Sequence, residues 1–96
     1  MSIKLVSIKK SIKPTKKYTA TFKVGDKVKM VHFGAEGYTD YTLGASDETR
    51  DAYRARHRND RINEPMTPGA LSYYILWGDS RSLNKNILLF KKQFKV

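Results

Sequence analysis

Tyr18, Ala20, Phe22 and Val24 alternate with Thr19, Thr21 and Lys23, the period-two pattern of a strand with one dry face. The run stops at Gly25-Asp26 and a second run, Lys27 to Phe33, follows, which predicts a β-hairpin. Two registers fit. A two-residue loop sets Phe22 opposite Lys29 and Ala20 opposite Val31, whereas a bulge puts Val28 and Met30 on the Phe22 face. Ahead of the hairpin, Ile3, Leu5 and Ile8 are separated by Lys4, Ser7 and Lys9. That approximate alternation suits either a short edge strand or an extended arm lying on a partner. Lys9 to Lys17, with Pro14 inside it, is a linker, so residues 1–17 are expected to be a basic arm and 18–96 one compact domain.

Beyond the hairpin the period changes. Gly34 to Gly44 holds three glycines, Tyr38 and Tyr41, and predicts an ordered surface loop. Ser46, with Asp47 and Glu48 after it, opens a helix to about Asn59, because a hydroxyl cap and two acids meet the free amides and the positive dipole end. Only Tyr53 is a large apolar anchor on its inner side, so this helix should be docked by a narrow seam. Thr67 caps a helix with Pro68 first, and Pro68 to Trp77 is apolar nearly all round, as a central core helix would be. Gly78 suits a left-handed stop, and Ser82 caps a last helix in which Leu83, Ile87, Phe90 and Phe94 repeat at helical spacing. The predicted fold class is a small single α+β domain. An N-terminal hairpin, with or without an edge strand, packs against about three α-helices.

Composition changes this picture mainly through charge. Nineteen Lys and Arg against nine Asp and Glu leave +10 over 96 residues, while 40% hydrophobic content is too much for a disordered basic tail. The charge is uneven. Nine lysines and one aspartate lie before Gly34, whereas residues 34–64 hold five arginines and seven acids. Zero cysteines exclude a disulfide scaffold, a thiolate zinc site and thiol catalysis. No apolar run approaches the ~18 residues of a membrane span, and lysines break up the first ten residues where a signal peptide needs an apolar core. The chain therefore reads as soluble and intracellular.

Two basic constellations are candidate contact surfaces. Lys4, Lys9, Lys10, Lys13, Lys16 and Lys17 form a polybasic arm able to bind phosphates through counterion release. Arg50, Arg54, Arg58 and Arg61, spaced four, four and three, would line one helix flank. The plainer alternatives are a solubilising tail and a solvated face on which Asp47 and Asp51 pair with Arg50 and Arg54. Tyr38, Tyr41 and Trp77 are candidate aromatic anchors for a partner. Catalysis has little to stand on. His32 and His57 are the only histidines, neither lies in a metal-ligand spacing, and His57 sits in a run of arginines, a poor setting for a hydrolytic base. The His32 to Tyr38 loop lacks the Gly-Lys-Ser/Thr ending of a phosphate-binding loop. No cofactor or metal is expected.

Three blocks occur in order: Phe33-Gly34-Ala35-Glu36-Gly37-Tyr38-Thr39-Asp40-Tyr41-Thr42, then Arg54-Ala55-Arg56-His57-Arg58, then Pro65-Met66-Thr67-Pro68-Gly69-Ala70-Leu71-Ser72. With them, Lys17 to Phe94 resembles small basic proteins of unassigned function from nucleocytoplasmic large DNA viruses, such as the chlorella viruses and mimivirus relatives. That group brings no catalytic residues with it. The resemblance implies a viral origin. With the small size and the lack of a catalytic site, it leads to the expectation of a non-enzymatic virion component. The most concrete form is a minor capsid protein, in the virion or in the host cytoplasm or virus factory during assembly, that bridges capsomers or links shell to interior. Its partners would be other capsid proteins. The alternative is a sequence-nonspecific nucleic-acid-binding, DNA-associated basic protein whose cations meet phosphates.

Overall fold

The computed structural model describes residues 2–96. Three strands, β1 (Ile3–Lys10), β2 (Lys16–Val24) and β3 (Lys27–Ala35), form an antiparallel sheet in the order β1-β2-β3. A 3-10 turn, Tyr41–Leu43, leads to helix α1 (Asp47–His57). Helix α2 (Pro68–Leu71) runs on into a π-helical segment, Ser72–Leu76, and α3 (Leu83–Phe94) completes the α+β domain.

The hairpin takes the two-residue register, with Phe22 paired to Lys29 and Ala20 to Val31. Gly25 has φ 63° and Asp26 does not have a positive φ, the sign pattern of a type II′ turn with glycine first. Of the two readings of residues 3–8, the sheet strand is the one observed. A bulge between Leu5 and Ser7 explains their broken alternation, because it lets Leu5 pair with Phe22 and Ile8 with Ala20 on one face. Ile3–Lys10 is therefore part of the sheet. Leu5 lies in the core, and the chain end returns to the same strand, Leu5 N–H donating to Val96 O at 3.3 Å.

Leu5, Ala20, Phe22, Val31 and Phe33 from the inner sheet face pack with Leu71, Ile75, Leu76 and Phe90 from the helices. The Pro68–Trp77 segment is the core element its composition predicts, but its second half widens to i→i+5 bonding, Trp77 N–H donating to Ser72 O at 3.0 Å. Asn86, buried on α3, closes this end. Its amide donates to Ile75 O and Ser80 O while its oxygen accepts from Ser80 N–H. Ser46, Thr67 and Ser82 each cap the helix expected of them. Helix α1 has no fully buried residue and ends at His57, two residues short of the expectation.

Gly78 corrects a second expectation. It is not in the left-handed region. A side chain there would collide with Tyr74 O and crowd Asn86, so the glycine permits close approach of α3 to the π-helical turn.

Candidate binding surface

With the helices on one side, the other face of the sheet is bare. Its rows follow from register: Lys4, Lys23 and Val28 in one, Ser7, Thr21 and Met30 in the next, Lys9, Thr19 and His32 in the third. The three strands contain eight lysines and no acidic residue. Lys4 stands directly opposite Lys23, a like-charge cross-strand pair that works against the sheet unless an anion or a partner relieves it. Among the described residues, neither makes a salt bridge. Between the cations lie exposed apolar side chains, Met30 at 62% and Val28 at 64% exposure, with Val6 on the bulge and Ile12 beyond the end of β1. At the far row, Thr19 Oγ1 sits 2.7 Å from His32 Nδ1 and donates to Ser11 Oγ at 3.0 Å, which fixes the ring by the neighbouring hydroxyls.

The structure sorts the sequence-selected residues. Lys4, Lys9, Lys10, Lys13 and Lys16 are exposed. Lys17 is not available to a polyanion. It is buried, and its Nζ lies 2.6 Å from Asp40 Oδ2. Asp40 in turn accepts from the Thr42 and Leu43 amides through Oδ1, so one carboxylate pins the loop to the sheet. Tyr41 and Trp77 are also buried and serve the interior. The Tyr41 hydroxyl donates to Asp47 at 2.7 Å, and the guanidinium carbons of Arg50 and Arg81 lie 4.7 and 4.2 Å from its ring centre. Of the three anchors only Tyr38 is exposed, at 73%.

The arginine stripe is likewise divided. Arg50 contacts Asp51 and the Tyr41 ring, while Arg54 pairs with Asp79 and lies over Tyr73 at 4.6 Å. Asp47, expected to pair with Arg50, faces Arg81 instead. Arg58 caps the C-terminus of α1, and Arg61 lies beyond the helix at φ 56° with Glu64 beside it, so it cannot continue a helical stripe. Only Arg58 and Arg61 of the four are exposed. These tertiary partners leave no signal in spacing along the chain.

A second cluster leaves no signal along the chain, because its members are ordinary singly. His57 Nδ1 lies 2.6 Å from Asp60 Oδ2, and the His57 ring stacks on Tyr53 at 4.2 Å. Tyr53 stacks on Trp77 at 4.4 Å, giving three rings in series. Burial holds the Tyr53 hydroxyl pKa above its ordinary value, with the Asp60 charge adding to the effect.

No helix is long and apolar enough to cross a membrane among the described residues. No curated protein and no solved structure matches the chain. Residues 6–57, the stretch from the β1 bulge through the end of α1, match a protein family, and this is more than half of the sequence. The protein therefore belongs to that family, which is described as a family of unknown function (DUF5754).

Proposed function

We propose that the protein is a non-enzymatic structural component of a large DNA virus particle. In this reading it is a minor capsid protein bridging capsomers or joining shell to interior, and the bare sheet face is its contact surface. The observation that carries the contact surface is the acid-free sheet, with Lys4 opposite Lys23 and Val28 and Met30 exposed between cations. A surface that is both cationic and apolar fits a partner face bearing carboxylates around an apolar patch. The viral setting rests on the resemblance of residues 17–94.

The second reading, a DNA-associated protein, draws on the same lysines. Against it stands the make-up of the bare face, where Thr19, Thr21, Met30 and Val28 surround a single imidazole, His32, and no Phe, Tyr or Trp ring is offered to bases. Fractionating disrupted particles after nuclease digestion tests the choice. Recovery with the shell protein, lost in a Lys4→Glu/Lys23→Glu variant, supports the capsid reading. Release with the genome, together with DNA binding whose affinity falls steeply with salt, supports the alternative.

A further inference from the structure

On the helix side of the sheet, away from the bare face, a cleft of about 470 Å³ opens between the start of β2, the end of β3, Tyr38 and Thr39, α1 and the π-helical segment. This volume is within the roughly 300–1,000 Å³ typical of small-molecule sites. Three sets of its lining side chains are placed to meet a ligand. Lys16 and Arg56 line it, both exposed and neither in a salt bridge among the described residues. The His57–Asp60 pair lies at its rim, with Asp60 Oδ1 and His57 Nε2 left without protein partners among the described residues. Tyr38 forms a wall that also borders a neighbouring cavity of about 500 Å³, and among the described residues its ring stacks on no other ring and lies under no cation.

We propose that this cleft binds a nucleotide, with the phosphate between Lys16 and Arg56, the sugar hydroxyls donating to Asp60 Oδ1, and the base against Tyr38. Two uncompensated cations match the double negative charge of a phosphate monoester, and a guanidinium fork suits its oxygens. A carboxylate oxygen beside them would repel a second phosphate but accepts from hydroxyls, which selects a ribose-bearing ligand over a simple phosphate. The exposed Tyr38 ring supplies a stacking platform for the base. The π-helical turn that shapes the cleft floor through Ser72 and Leu76 is a feature frequent at functional sites. The ligand is either a free nucleotide or the 5′-terminal nucleotide of an RNA strand, since the same groups recognise both. This inference is independent of the capsid reading.

Titration of the ¹⁵N-labelled protein with adenosine 5′-monophosphate tests it. Saturable shifts of the amides of residues 36–39 and 56–60 are expected, with a dissociation constant below about 1 mM. Adenosine alone and inorganic phosphate alone should each bind at least about tenfold more weakly, as should Arg56→Gln, which loses a charge-assisted contact on an exposed side chain. Tyr38→Ala should weaken binding several-fold, and Lys92→Gln, an exposed charge on α3, should leave it unchanged. Competition by a 5′-phosphorylated oligoadenylate would assign the ligand to a strand end, and failure to compete alongside binding of the mononucleotide would assign it to a free nucleotide. Absence of saturable shifts up to about 10 mM, a range that covers even millimolar affinities, would overturn the proposal. So would equal losses in Arg56→Gln and Lys92→Gln, or phosphate binding as tightly as the mononucleotide.

Discussion

Lys17 Nζ and Asp40 Oδ2 meet at 2.6 Å with side-chain exposures of 9% and 1%, which joins the start of β2 to the loop before α1. Two charges that well removed from water hold each other in place. Either alone would be stranded. Lys17→Met should therefore destabilise the protein by about 3 kcal/mol or more, because Asp40 would remain buried without its counter-charge. Urea denaturation checks this, and a Lys17→Met/Asp40→Asn double variant should recover part of the loss. If Lys17→Met costs no more than an exposed substitution such as Lys13→Met, the pair is not the latch described.

Gly78 and Gly37 separate two reasons for a glycine. At Gly78 a methyl group would meet Tyr74 O and Asn86, whereas at Gly37 it would meet nothing but would sit at φ 87°. Gly78→Ala should cost about 3 kcal/mol, through overpacking that displaces α3. Gly37→Ala should cost only about 1 kcal/mol, through backbone strain. Thermal unfolding of the two variants should rank them in that order.

The tyrosines set the alkaline limit of stability. Burial raises the Tyr18 and Tyr53 pKa values above 10.0, and the hydrogen bond to Asp47 raises that of Tyr41. In each case the folded state holds its proton more tightly than the unfolded chain. Their contribution is thus complete below the unfolded value of 10.0 and is lost as the pH rises from there through the higher folded values. Denaturation midpoints should fall above pH 10, and Tyr41→Phe should fall less steeply than the parent.

Lys4 and Lys23 should trade stability against binding. Lys23→Glu replaces a repulsive cross-strand pair with an attractive one and should stabilise the isolated protein by about 0.5–1 kcal/mol. The same change should weaken association with an acidic partner. Calorimetry and a shell-binding assay on this one variant read both effects, and a variant that loses stability without losing binding would remove the sheet face from consideration.

What the chain announced on its own was local. The alternation of Tyr18 to Val24 about Gly25-Asp26, and the hydroxyls of Ser46, Thr67 and Ser82 before helical periods, identify the hairpin and three helix starts, since strand period, turn and cap are properties of residues a few positions apart. Five of the six lysines picked out before the hairpin are exposed for the same reason, charge being the strongest single determinant of exposure. Tertiary packing decided the rest. Lys17 is buried because Asp40, 23 residues on, supplies its counter-charge, and Arg54 leaves its expected stripe for Asp79 and Tyr73. Trp77 is covered by Tyr53, and the cleft joins residues 16 to 77. Which of several equivalent cations is neutralised inside, and which stays free for a ligand, depends on distances that exist only once the sheet and helices have docked.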